Sequence, residues 1–161
     1  MMQVMARIAA QVMPQILPQI AAAFLGTVAF ALLFGVPRNC YVFCGLIGGM
    51  GWLIYSVTRA GADETFAVLL ATMAVVFLSR LVAVRMHCPA TLFLIPGIFP
   101  LVPGAGVYWA AYYVVTDRLM LAAHTGYSAA KTAVAIVLGI IFIFEMPQRW
   151  FRWLTGMKEH R

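Results

Sequence analysis

No charged residue interrupts the chain from Ile16 to Val36, nor from Cys40 to Thr58. Thr65 to Val84 is apolar except for Arg80 near its end, and Ala90 to Val115 carries no charge. A hydrocarbon core about 30 Å thick needs roughly 20 apolar residues per helix, so each stretch is long enough to cross a bilayer. A fifth candidate starts at Ser128, a residue type suited to cap a helix. It runs to about Arg149, with Lys131 and Glu145 near its two ends. The pattern predicts an all-α integral membrane protein of about five transmembrane helices. They form a single transmembrane domain over residues 1–161, with spans near 16–36, 40–58, 65–84, 90–115 and 128–148. Without the charged fifth stretch, four spans remain. The connections are too short to hold a soluble domain.

The fourth span contains the run IPGIFPLVPGAGVY, residues 95–108, which places three prolines and three glycines in an apolar segment. At 1.5 Å per residue, Pro96 lies about 9 Å and Pro103 about 20 Å into the span, so the breakers bracket the bilayer midplane. Each proline lacks an amide donor and clashes with the carbonyl four residues back. Several carbonyls are therefore expected to lose their helical partners, which lipid cannot replace. One reading is a kinked helix packed against its neighbours. The favoured reading is a discontinuous helix at a transport site, built from Pro96, Gly97, Pro100, Pro103, Gly104 and Gly106. A half-helix starting near Pro103 would aim amide donors and the positive end of its dipole at a substrate carboxylate. Tyr108 either presents its hydroxyl one turn further on or packs as an ordinary aromatic.

Composition agrees with lipid as the solvent. The chain is 64% hydrophobic and 10% charged, against about 25% charged in soluble domains. The net charge of +6 is scattered singly between apolar runs, which argues against nucleic acid as a partner. Arg7, Arg59, Arg118 and Lys131 would lie on one side of the membrane. Arg38, Arg80, Arg85, Arg149, Arg152, Lys158 and Arg161 would lie on the other. The positive-inside rule then puts the N-terminus outside and the C-terminus in the cytoplasm. Trp109, Tyr112 and Tyr113 suit the outer interface, Trp150 and Trp153 the inner one. The opening MMQVMARIAAQVMPQ is interrupted by proline and lacks a small-residue cleavage site, so no signal peptide is expected.

Among charged positions, Arg80 is the deepest, about 22 Å into its span. It either snorkels to the inner surface or attracts substrate in an inner vestibule. Glu145 lies at similar depth, able to pair with Arg80 or with Arg149 one turn on, and is the candidate for ion coupling. Asp63, Glu64 and Asp117 read as loop residues outside the membrane. Gly45, Gly48, Gly49 and Gly51 form a close-packing face, the candidate contact for a partner. Cys40, Cys44 and Cys88 form no CxxC pair and read as buried inert thiols. His87, His124 and His160 fall in separate loops or the tail. No catalytic motif, metal site or cofactor site is expected.

These features resemble the threonine/serine exporter family, specifically its small five-span subunit. The resemblance rests on Phe34-Gly35-Val36-Pro37-Arg38, the glycine-rich run from Gly45 to Tyr55, and Ser79-Arg80. Above all it rests on Pro96-Gly97-Ile98-Phe99-Pro100-Leu101-Val102-Pro103-Gly104 with Tyr108, and it covers about residues 25 to 110. It implies a bacterial inner-membrane secondary exporter of threonine and serine, driven by the proton-motive force, with some members handling dicarboxylates such as succinate. It also implies a larger partner subunit carrying its own five spans and a cytoplasmic N-terminal domain, to which this chain supplies a C-terminal half. An inverted pair of five-span units is a common transporter architecture. The alternative is a structural subunit stabilising a larger partner that holds the whole site; a membrane enzyme ranks third, for want of catalytic residues.

Overall fold

The structure is a computed structural model that describes the backbone of residues 2–147 and the side chains of residues 16–147. The side chain of Arg7 and the residues Arg149, Trp150, Arg152, Trp153, Lys158, His160 and Arg161 lie outside that description. Every regular element described is helical. Helix α1 runs Met2–Leu33, α2 Tyr41–Arg59, α3 Glu64–Met86, α4 Thr91–Ile98, α5 Gly104–Val115 and α6 Leu119–Phe144. Short 3-10 turns at Arg38–Cys40 and Phe99–Leu101 lead into α2 and out of α4. Among the described residues four segments are long and apolar enough to cross a membrane, or five if α4 with its 3-10 turn and α5, bent by 51° at the break, count as one broken span.

Helices α2 and α3 form the centre. Helix α1 packs on α2, α6 packs on α3, and α4 lies against α2 and α3 with a smaller contact to α1. Buried positions on α3 follow two ridges of period four, Ala67-Ala71-Val75-Ser79-Ala83 and Val68-Thr72-Val76-Arg80, the spacing by which helices interdigitate. Close approach to α2 needs its glycines. A Cβ on Gly45 would lie 2.6 Å from the Phe24 ring and one on Gly51 2.5 Å from Val75 Cγ2, while one on Gly48 would overlap the Thr27 side chain. The glycine face predicted for a partner is thus occupied within the chain by α1 and α3. Small residues permit close helix contact, but their spacing does not say which helix makes it.

The turns explain two further departures. The sixth helix begins at Leu119, not at Ser128, which lies inside it and caps nothing. Asp117 takes the left-handed conformation, φ 58°, so the chain reverses in three residues after α5 and the helix restarts at once. His124 is accordingly helical rather than in a loop. At the other end of the bundle, His87 closes α3 with φ 53°, and the amide of Cys88 bonds the carbonyl of Ala83 at 3.1 Å. This is the role glycine usually fills at a helix C-terminus.

Candidate functional site

The break in the fourth span follows from its prolines one at a time. Pro96 sits inside α4 and cannot donate to the Leu92 carbonyl four residues back. That carbonyl instead accepts from Cys44 Sγ on α2, at 3.6 Å. The carbonyl that Pro100 leaves, on Pro96, is taken by the Phe99 amide. The carbonyl that Pro103 leaves, on Phe99, is taken by the Val102 amide at 3.2 Å. The expected row of orphan carbonyls is therefore absent at these three positions, because 3-10 tightening and one thiol recover them.

Donors are left open instead. Val102 is extended (φ −65°, ψ 130°), as a residue before proline prefers. Pro103 then turns sharply (φ −76°, ψ 51°) and the Gly104 amide bonds back to the Val102 carbonyl at 2.7 Å, an inverse γ-turn. The first helical bond of α5 runs from the Val107 amide to the Pro103 carbonyl, at 3.1 Å. The amides of Ala105 and Gly106 precede it and have no intrahelical acceptor. They stand at the positive end of the α5 dipole.

These residues line a cavity of about 370 Å³. One wall is the break itself, Pro100 to Gly106; another is Thr125, Ser128, Ala129 and Thr132 of α6; the third is Trp52 and Tyr55 of α2 with Glu64 and Val68 of α3. Gly104 faces open space, with nothing within 4 Å of a Cβ built on it. Gly106 lies against α6, where its Cβ would meet Ala129 Cβ at 3.2 Å. Helix α5 has no buried residue and packs mainly on α6. Helix α5 is thus tied to the α2–α3 centre mainly through α6, which itself packs on α3.

Of the residues predicted for the site, Pro100, Pro103, Gly104 and Gly106 meet at this cavity. Pro96 and Gly97 are buried beneath it in α4, where a Cβ on Gly97 would come within 3.1 Å of Ile47 and 3.2 Å of Val75. Tyr108 is 62% exposed and meets Trp109 edge-on at 5.4 Å, outside the cavity lining. Trp109, Tyr112 and Tyr113 stack among themselves on α5.

Arg80 is elsewhere, on the last turns of α3. Its guanidinium donates to the carbonyls of Ile143, of Phe144 at 3.4 Å and of Met146 at 3.0 Å, and lies 5.5 Å from the Phe144 ring centre. It caps the C-terminus of α6, where the helix dipole favours a cation. Glu145 is the exposed residue just after that helix. Arg80→Leu should lower stability by about 2–3 kcal/mol, since hydrogen bonds to a charged group are lost from a buried site. Arg80→Lys should recover part of this by keeping the charge but not the fork. Thermal unfolding and substrate KM separate the roles. A raised KM at unchanged stability would return Arg80 to a substrate site.

Sequence reasoning missed Glu64 and Tyr55. Tyr55 Oη donates to Glu64 Oε1 at 3.3 Å and accepts from Arg59 Nη1 at 2.8 Å. Arg59 Nη2 lies 3.8 Å from Glu64 Oε2. The available signal was the spacing: Tyr55 and Arg59 share a helix face at i, i+4, and a short turn returns Glu64 to it. Cys40, Cys44 and Cys88 are free thiols, and burial beside Cys40 pushes the Cys88 thiol up from its ordinary value.

Residues 19–146 match the family described as Threonine/Serine exporter, ThrE. A probable threonine/serine exporter of Mycobacterium tuberculosis (strain ATCC 25618 / H37Rv) is 28% identical over 123 residues, which cover 75% of this chain and 23% of that protein. The chain thus aligns with less than a quarter of the length of that relative. No solved structure matches it.

Proposed function

The chain belongs to the threonine/serine exporter family, and from that premise we propose that it is a substrate-carrying subunit of a secondary exporter. Its substrate is a small carboxylate-bearing molecule, threonine or serine or a dicarboxylate such as succinate. The observation that carries this reading is the cavity at the break of the fourth span, lined by the residues whose amides open α5. Unpaired donors inside a membrane are costly unless protein, water or a ligand meets them. A carboxylate is the natural match for a helix N-terminus. Several small hydroxyl side chains on α6 complete a wall sized for a molecule of few heavy atoms.

The exporter works with a larger homologous subunit, and the pair resides in the bacterial inner membrane. The arginine asymmetry supports a cytoplasmic C-terminus, which places the cavity and the α2–α3 turn on the outer half. Substrate released outward would leave by that half. The test is co-purification with the larger subunit, reconstitution, and flux of labelled threonine, serine and succinate under an imposed proton gradient. An impermeant thiol reagent on a cysteine placed at Ala62 reports the sidedness. Gradient-dependent flux of one of these substrates, with position 62 labelled from outside, is the expected result. No flux of any of them, in a pair that assembles, would reduce the chain to a structural subunit.

A further inference from the structure

We propose that Glu64, held by Tyr55 and Arg59, is the group that recognises the ammonium of a zwitterionic substrate and turns dicarboxylates away. The inference rests on the cavity being the transport site. It goes further by assigning the second pole of that site.

The cavity has two electrically different ends. The opening of α5 offers amide donors and the positive end of a dipole, and so takes a carboxylate. Glu64, lining the same cavity from α3, offers a carboxylate. A molecule with one negative and one positive group satisfies both. A molecule with two carboxylates must set one of them beside Glu64, and like charges at close range oppose binding.

The surroundings of Glu64 suit it to exchange partners. Its present counter-ion, Arg59, is loosely held at 3.8 Å, with both side chains about half exposed (55% and 49%). Such pairs contribute little to stability, so an incoming ammonium displaces Arg59 at small cost. The displaced guanidinium is not set adrift, because Arg59 Nη1 also donates to Tyr55 Oη at 2.8 Å. Tyr55 is itself 8% exposed, which fixes the phenol. Its bond to Glu64 Oε1 holds one carboxylate oxygen in place while Oε2 changes partner. A lysine or arginine at position 64 would invert the preference of the site.

The test uses the exporter as isolated with the subunits that co-purify with it, and three competitors of labelled serine transport: serine, glycerate and succinate. Glycerate replaces the ammonium of serine by a hydroxyl and keeps the rest. In the wild-type protein serine should compete at least tenfold better than either analogue. Glu64→Gln should raise the serine KM tenfold or more, leave the maximal rate within about twofold, and bring serine and glycerate together. Tyr55→Phe should shift the KM the same way by a smaller factor. Uptake of glycerate by each variant shows that it is folded. Retained discrimination in Glu64→Gln overturns the assignment. A wild type that prefers succinate to serine overturns it too, but leaves the cavity as a carboxylate transport site. A wild type that transports none of the three overturns the cavity reading and this inference with it.

Discussion

Gly104→Leu should abolish transport, by at least a hundredfold, in a protein that folds as well as the parent or better. The side chain would enter free space, since nothing lies within 4 Å of a Cβ at this position, at a residue that lines the cavity. Leucine would therefore fill the volume that substrate needs and cover the amides beside it. Meanwhile Gly104 is the first residue of α5 and has no left-handed backbone to strain a larger residue. Replacing glycine within a helix by a good helix former gains up to about 1 kcal/mol. Gain of stability with loss of activity is the pattern expected where local structure serves function. Pro103→Ala tests the same site differently. It restores an amide and frees the backbone to continue the helix across the break, which would withdraw the donors rather than block them. Efflux, thermal unfolding and recovery of the proposed larger subunit should be measured on both variants. Normal efflux in both would make the broken segment a packing kink. Loss of the partner from both would make it an assembly element.

Gly48→Ala should be the most damaging methyl added at any of the described glycines. Its Cβ would overlap Thr27, coming within 2.8 Å of Thr27 Cβ. Thr27 cannot swing aside, because it is fully buried and its hydroxyl donates to the Ala23 carbonyl at 2.7 Å. Helices α1 and α2 must then separate, and overpacking of this kind costs about 1–3 kcal/mol. Gly49→Ala is the control. Its Cβ would meet Ile20 at 3.5 Å, an ordinary contact, and the variant should behave as wild type. Combining Gly48→Ala with Thr27→Ala should recover part of the loss, a coupling expected only of residues in contact. Unfolding midpoints of the wild type, the three single variants (Thr27→Ala included) and the double variant decide it. Equal losses in the two glycine variants would mean that α1 does not lie on this face.

The contrast between these two sites shows what can be read along the chain. The span order is legible because charge is excluded from lipid, and the restart of the helix after Pro103 because proline restricts both itself and its predecessor. The glycine face is legible as a contact, but the partner is not, since any small-residue stripe serves a helix of the same chain or of another equally well. The start of α6 is hidden because Asp117 makes a turn that residues with a Cβ seldom make. The chemistry of Glu64 is hidden for a different reason. As a charge beside a turn it looks solvated, and only the folding of the break toward the α2–α3 turn gives it a cavity to face. Arg80 shows the reverse. Its depth leaves snorkelling and a substrate contact both open, and the structure places its guanidinium on the carbonyls of Ile143, Phe144 and Met146 at the end of α6.

The thiol that Cys44 lends to the Leu92 carbonyl bears on how this protein can be studied with cysteine chemistry. A thiolate has no proton to donate, so ionisation, alkylation or oxidation at Cys44 would each take this donor from the Leu92 carbonyl. A cysteine-free background made with alanine would do the same. Serine keeps a donor of nearly the same reach. Labelling experiments on this protein should therefore start from Cys44→Ser, or the probe will report a helix already loosened by its own preparation.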